Sequence, residues 1–191
     1  MGIEMKYIQQ LMVLHQNVFE RIEAATGSWL PGLTARCIFG SVLMLFFVNS
    51  AMTKFAGGPF SLSLGAYAQV LPPIAEAAGY DPSKIAFFPW AIIVFLGAYA
   101  EIILPISILI GLFTRLSSLA MIGFIFVMTM VDINFHGVGT TTIGAMFDRV
   151  HDSAILDQRL LWLFPLVYLT IKGPGPVSVD YLLAKLRETS S

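Results

Sequence analysis

A single carboxylate interrupts a long apolar run, and this feature most constrains what the chain can fold into. Residues 87–111 read FFPWAIIVFLGAYAEIILPISILIG, and Glu101 is their one charged residue. A helix of about 25 residues crosses a hydrocarbon layer of ~30 Å at ~1.5 Å per residue. A carboxylate inside such a helix is costly and usually faces a bundle interior or a wet cavity. The run therefore predicts a membrane span with a polar site inside the protein.

The composition places the whole chain among integral membrane proteins. Of its 191 residues, 57% are hydrophobic and only 12% are charged, and the mean hydropathy is +0.78. Soluble domains carry about twice that share of charged residues. A net charge of −1 does not indicate a nucleic-acid partner. The only cysteine, Cys37, rules out an internal disulfide and a CxxC redox pair.

Hydropathy and helix-breaking residues divide the chain into three parts and predict an all-α fold. Residues 1–32 hold an amphipathic helix and a linker, and we expect that helix to lie on the membrane surface or against a partner. Residues 33–172 are predicted to form an integral membrane bundle of four transmembrane helices. Residues 173–191 form a tail with a short helix that Ser178 caps. The predicted spans cover residues 33–53, 85–110, 116–135 and 155–171.

The distribution of lysine and arginine predicts the orientation of the spans. Basic residues are more frequent at the end of the bundle that holds both termini than in the loops at the opposite end. Because segments rich in lysine and arginine stay in the cytoplasm, we expect both termini to be cytoplasmic. The basic residues at the end with the termini are Lys6, Arg21, Arg36, Arg115, Lys172, Lys185 and Arg187.

Counting residues from the cytoplasmic end of each span predicts how deep the polar side chains lie. At ~1.5 Å per residue, Glu101 lies ~15 Å deep, near the middle of the bilayer. Lys54 and His136 lie ~30 Å deep, at the outer boundary. The sequence therefore predicts a polar funnel that opens outward and narrows toward Glu101. Its predicted walls between these two levels are Asn49, Asp132, Asp157 and Arg159.

Two prolines inside the predicted spans mark expected kinks. Pro105 removes the hydrogen bond to the carbonyl of Glu101, so that level of the second span offers both a carboxylate and a free acceptor. Pro165 does the same to the carbonyl of Leu161 in the fourth span. Because packing absorbs such kinks in membrane helices, no function follows from Pro165 alone.

Three interpretations of the polar residues stay open. The charged side chains can pair with one another and fix the packing of the helices. They can instead form a binding site for a redox ligand of the quinone type, with Phe46, Phe47 and Phe126 beside its ring. They can also form a proton or ion path in which Glu101 is the relay.

A metal centre is not expected. His136 and Asp132 have the i, i+4 spacing of ligands on one helix face, but a third and a fourth ligand are not evident. His151 lies apart in the following loop. We therefore interpret His136 as a histidine at the membrane interface.

Three segments resemble the DoxX family of membrane proteins. They are RCIFG at 36–40 followed by Lys54, AEIILPISILIGLFTRLSSLAM with Glu101, Gly111 and Arg115, and GPGPVSVD at 173–180. These segments are similar, in order, to that family's first-span arginine, glycine and lysine, to its second-span glutamate with the following GLxTR turn, and to its C-terminal segment. The likeness extends over about residues 33–183.

The resemblance implies a multi-pass four-helix bundle in a bacterial cytoplasmic membrane, with the lipid bilayer around it. Related proteins include the small membrane subunit of thiosulfate:quinone oxidoreductase, and others work beside redox or detoxification proteins. We therefore expect a membrane subunit that supports a quinone-linked oxidoreductase through a protein partner, rather than an independent enzyme. Quinone is the candidate cofactor, and the polar site around Glu101 is the candidate ligand site. A non-catalytic anchor or assembly module for a partner protein, and a small proton-coupled transporter, are the alternatives.

Overall fold

Helices make up nearly all regular structure in the computed structural model, which describes residues 2–189, with side chains from residue 5. Within this range the chain forms nine α-helices and no β-strand, so the all-α prediction is confirmed. The helices are α1 (Gly2–Thr26), α2 (Leu30–Thr53), α3 (Leu64–Val70), α4 (Pro72–Ala77), α5 (Ile92–Ile110), α6 (Thr114–Asn134), α7 (Thr140–Ile143), α8 (Leu160–Lys172) and α9 (Val179–Thr189).

Four helical segments are long and apolar enough to cross a membrane, as predicted. They are Leu30–Thr53, Phe87–Ile110, Thr114–Asn134 and Ala154–Lys172. The second begins with a kinked segment, Phe87–Ala91, in which Phe88 has an extended backbone, and the fourth begins with a π-helical turn, Ala154–Arg159, that leads into α8. Because this turn lengthens the fourth segment to 19 residues, Arg159 lies within a span and not in the loop before it.

The four spans pack side by side as a bundle. Helix α2 packs against α5 and α8, and α6 packs against the same two helices, so α2 and α6 face each other across the bundle. The start of α2 and the end of α8 lie at one end, which we call the terminal end. The connections 54–86 and 135–153 lie at the opposite end, which we call the loop end.

An apolar core fills the middle of the bundle and its terminal half. Its buried members include Phe39, Leu43, Phe47, Ile108, Met121, Ile125, Leu166 and Leu169. Large apolar side chains also cover the outside of the spans, where Leu96 is 66% and Phe164 is 77% exposed. Such a surface would associate in water, whereas lipid tails cover it in a bilayer.

The first connection folds onto the loop end and places α3 beside the polar residues. Ala66 and Tyr67 of α3 are buried with Ala75 of α4 and Val94 of α5 in a second apolar cluster. Tyr99 Oη on α5 donates to Pro59 O at 2.7 Å, which holds the start of this connection against the bundle. The loop end is therefore covered by protein over α5.

Both terminal helices form as predicted. In α1 the apolar side chains are uncovered, and Leu11 is 65% and Leu14 is 60% exposed. That α1 lies on the membrane surface or against a partner stays a prediction. Helix α9 follows the fourth span, and Ser178 Oγ accepts a hydrogen bond from Tyr181 N at 3.2 Å, as a capping serine does.

Candidate functional site

Glu101 is paired with Lys54 in the interior of the bundle. Lys54 Nζ donates to Glu101 Oε1 at 3.0 Å and to Oε2 at 2.8 Å, and both residues are buried. The same ammonium donates to Ser50 Oγ at 2.9 Å and to Ser50 O at 3.3 Å. Because a lysine ammonium has three donors, these bonds use its full capacity. The pair joins α2 to α5 and neutralises both charges inside the protein.

Antiparallel helix directions explain why these two side chains meet. Residue counting predicts Lys54 at the mouth of a funnel with Glu101 ~15 Å beneath it, and that part of the prediction is wrong. Side chains on a helix lean toward its N-terminus. Helix α2 begins at the terminal end, so Lys54 reaches into the bundle, whereas α5 begins at the loop end, so Glu101 reaches outward. The two side chains therefore extend toward each other along the bundle axis, and their charged groups meet.

A second ion pair joins α6 to the start of α8. Asp132 pairs with the guanidinium of Arg159, which also donates to Thr129 Oγ1 at 2.7 Å. The other carboxylate oxygen of Asp132 lies 2.9 Å from His136 Nδ1. His136 Nε2 lies 3.4 Å from Ala68 O on α3. This chain of contacts therefore links α8, α6 and the helix that covers the loop end.

A cavity of about 300 Å³ lies between the two ion pairs. Both pairs and His136 form much of its polar lining, so the structure brings five of the seven predicted site residues to one place. Its apolar lining includes Phe46, Phe124, Val127, Met128 and Val131. This volume is at the lower end of the range of about 300–1,000 Å³ for small-molecule pockets. The cavity is therefore large enough for the ring-shaped end of a small molecule.

Arg159 keeps unused hydrogen-bond donors at the cavity wall. A guanidinium has five N–H donors, and the protein partners of Arg159 are Asp132 and Thr129. Its Nε is buried without a hydrogen-bond partner in the protein. Lys54, in contrast, is fully engaged by Glu101 and Ser50. Arg159 is therefore the cation of this site that can accommodate a further acceptor.

Two predicted wall residues lie elsewhere. Asn49 is exposed on the outer surface of α2, because it lies five positions before Lys54 and helical rotation over that distance turns it away from the cavity. Asp157 serves the π-helical turn, where its carboxylate accepts from Ser153 N at 2.9 Å and its own N–H donates to Ser153 Oγ at 3.2 Å. Neither residue lines the cavity.

The aromatic residues beside the cavity differ in part from those predicted. Phe46 lines the cavity, but Phe47 is fully buried in the core. Phe126 is 62% exposed on the outside of α6. Phe124 lines the cavity instead, because helical periodicity puts it on one face with Met128.

The two prolines expected to kink the spans both lie inside helices. Pro105 is in α5 and Pro165 is in α8, and both are buried.

Arg36 ties α2 to the C-terminal segment at the terminal end, a role that sequence reasoning missed. Its Nη1 donates to Leu109 O at 2.9 Å, and its Nη2 donates to Val177 O. Gly111 makes room for this contact, since a Cβ there would lie 2.6 Å from Ser178 Cβ. Gly111 also has φ +75°, a backbone conformation that favours glycine. The terminal end is therefore closed by contacts that need both Arg36 and Gly111.

Asp180 caps α6 from the far end of the chain, and sequence reasoning missed this role as well. Its carboxylate accepts from Phe113 N at 2.7 Å, and from Thr114 N and Thr114 Oγ1 at 2.8 Å. Its own N–H donates to Gly111 O at 2.8 Å. The separation of 66 residues between Asp180 and Thr114 explains the omission. Capping rules examine only the positions next to a helix start.

Potential metal ligands are scattered. In the part of the chain that the structure describes, no group of three or more His, Cys, Asp or Glu side chains could hold a metal ion. His136 contacts Asp132 and Ala68 O, and His151 is exposed in the loop before α8.

The three segments that resemble the DoxX family contact one another. Arg36 and Gly111 meet the C-terminal segment at the terminal end, and Lys54 meets Glu101 toward the loop end. These contacts give a physical reason for the segments to occur together in one chain. No family model, curated protein or solved structure matches the chain, so its membership of that family stays a prediction.

Proposed function

We propose that the chain is a membrane-spanning subunit that binds a lipid-soluble, carbonyl-bearing ligand in the loop-end cavity and supports a membrane redox system. A quinone is the candidate ligand. The cavity between the two ion pairs carries the proposal, because its wall is aromatic and aliphatic with a few placed polar groups. Sites for small molecules have this composition. The redox assignment rests on the resemblance to the DoxX family alone.

Arg159 is the residue to which we assign recognition of the ligand carbonyl. A guanidinium N–H that donates to a carbonyl oxygen forms a charge-assisted hydrogen bond. Asp132 and Thr129 hold the guanidinium at the cavity wall, which reduces the entropy lost when the ligand binds. His136 contacts the same carboxylate of Asp132, and its side chain is 33% exposed. A quinone, when bound, would supply electron transfer between membrane partners.

Exposed apolar side chains offer the ligand a route from the bilayer. Phe46 on α2 and Val127 on α6 both line the cavity, and they are 48% and 60% exposed. We therefore expect a molecule dissolved in lipid to reach the cavity past these two apolar side chains. This access favours a ligand with an apolar ring or tail over a polar metabolite.

The apolar core argues against the small-transporter alternative. Toward the terminal end, the buried interior is mainly apolar from Phe47 onward, and its buried polar side chains on α6 are Thr114, Ser117 and Ser118. The next buried charge on α2 is Arg36, ~27 Å from Lys54 along the helix. Because proton and ion paths through membranes follow polar side chains or water, this apolar core favours a ligand site over a proton path from Glu101 toward the terminal end.

The ligand proposal is tested with a short-chain quinone analogue added to the protein in lipid nanodiscs. Trp162 is the reporter, because its ring centroid lies 5.6 Å from that of Phe46 and quinones quench indole fluorescence. Trp29 and Trp90 are replaced by phenylalanine in all variants. We expect saturable quenching, and Arg159→Gln should weaken the apparent affinity about tenfold or more, since hydrogen bonds to charged groups contribute about 1.5–3 kcal/mol.

Two further variants distinguish a lost contact from a lost fold. Arg159→Gln leaves Asp132 without its cation, so the double variant with Asp132→Asn removes both charges and should show the same loss of affinity. Arg115→Gln removes an exposed arginine at the terminal end and should bind as the parent does. Quenching that rises linearly with quinone, or equal affinity in the parent and both Arg159 variants, would contradict the proposal.

A further inference from the structure

The start of α9 is held at the terminal end of the bundle. The carboxylate of Asp180 binds the first turn of α6, and its N–H donates to Gly111 O between α5 and α6. Arg36 of α2 binds Val177 O just before the helix. Because α5 ends and α6 begins where their spans end, these contacts place the first turn of α9 at the boundary of the bilayer.

Helix α9 presents an uncovered apolar face with a basic border. Leu182 and Leu183 are 58% and 49% exposed, and helical geometry puts both on the face of Val179. Lys185 is exposed at the edge of that face. Glu188 lies on the opposite side of the helix. An apolar face bordered by basic residues is typical of a helix that lies in a membrane interface.

Two further basic residues lie at the terminal end, where α9 begins. Arg115 opens α6 and Lys172 closes α8, and both side chains are exposed. Arg115 Nη2 donates to Lys172 O at 3.5 Å, which places the two residues side by side. Of the two acidic residues of α9, Asp180 is engaged in the cap of α6, and Glu188 lies near the other end of the helix. This surface is therefore complementary to anionic groups.

We propose that α9 lies in the headgroup layer of the bilayer at the terminal end and binds anionic phospholipid. Leu182 and Leu183 face the acyl chains, and Lys185, with Lys172 and Arg115, contacts the phosphate groups. The cap by Asp180 fixes the depth at which the helix begins. Because the site lies at the other end of the bundle, this inference is independent of the proposed ligand cavity.

Helix α1 serves as an internal comparison. It also exposes an apolar face, but it carries the acidic residues Glu4, Glu20 and Glu23 against Lys6 and Arg21. The charges of α1 sum to −1, whereas those of α9 sum to zero and have Arg115 and Lys172 at the same end of the bundle, so anionic lipid should attract α1 less than α9. If α1 lies on a membrane, we expect its amide hydrogens to exchange equally fast in neutral and in anionic lipid.

Hydrogen exchange of the full chain in lipid nanodiscs tests the proposal. Discs of phosphatidylcholine alone are compared with discs that also contain phosphatidylglycerol, and exchange is read by mass spectrometry. We expect the amides of α9 to exchange more slowly in the anionic discs. Lys185→Gln should reduce that difference by about fivefold, the effect of one basic residue near an anionic surface. Leu183→Gln should speed exchange in both lipids.

Three results would overturn the proposal. One is equal exchange of α9 in the two lipids, and another is an unchanged lipid difference in Lys185→Gln. The third is protection in detergent that rises with protein concentration, because a second copy of the chain would then be the partner of α9. Lys84→Gln at the loop end is the matched control, and it should leave the exchange of α9 as it is in the parent.

Discussion

Lys54→Met is expected to lower the free energy of unfolding of the bundle by about 3–5 kcal/mol, the usual cost of removing one partner from a buried ion pair. The carboxylate of Glu101 would stay buried after the substitution, with its bonds from Lys54 lost. Glu101→Gln should cost less, because an amide oxygen can still accept from the Lys54 ammonium. The measurement is unfolding in mixed micelles of mild detergent and dodecyl sulfate, followed by circular dichroism.

A double-mutant cycle separates the pair from its surroundings. Lys54→Met combined with Glu101→Gln should recover most of the stability that Lys54→Met loses, since neutral replacement of a buried pair is often tolerated. Asn49→Leu, on the exposed side of the same helix, should change stability little. If the double variant lost as much stability as the two single variants lose together, Lys54 and Glu101 would not interact.

The same double variant distinguishes the interpretations of the polar site. If Lys54 and Glu101 form a structural pair and Arg159 holds the ligand, the double variant should still quench saturably with the quinone analogue. A proton relay at Glu101 also predicts unchanged ligand affinity, but it predicts that the parent transports protons and that the double variant does not. The structure favours the first outcome, because the donors of Lys54 are already used within the protein.

Gly111→Ala is expected to lower the free energy of unfolding by about 2–4 kcal/mol, through strain at a positive φ and crowding of a packed contact. The added Cβ would lie 2.6 Å from Ser178 Cβ and 3.0 Å from Arg36 Nη1. Relief of that overlap moves the segment that carries Asp180, so the cap of α6 should weaken as well. The same mixed-micelle unfolding experiment measures the loss.

Gly123→Ala is the matched control for this substitution. Gly123 lies in the middle of α6, where a Cβ would meet nothing within 4 Å. Alanine has the higher helix propensity, so stability should stay equal or rise by up to about 1 kcal/mol. Equal stability of the Gly111 variant and the parent would mean that the closure of the terminal end does not stabilise the fold.

Local patterns in the sequence were sufficient for the helices and for most of the charged lining. The four predicted spans agree with the structure to within three residues, because hydropathy summed over a span is a local property. The contact between Asp132 near the end of α6 and His136, two residues beyond it, was predicted from their i, i+4 spacing alone. The prediction that Asn49 lines the site was wrong, because it considered only the depth of the residue and not the side of α2 on which it lies.

Contacts between distant segments required the tertiary structure. The sequence by itself determined an all-α chain with four helices long and apolar enough to cross a membrane, and a carboxylate inside one of them. Only the tertiary structure decided that this partner is Lys54, that Arg159 keeps free donors beside a cavity, and that Asp180 caps α6. The physical reason is that these contacts depend on the relative axial positions and rotations of packed helices, which a local pattern does not encode, although the lean of each side chain toward the helix N-terminus is general.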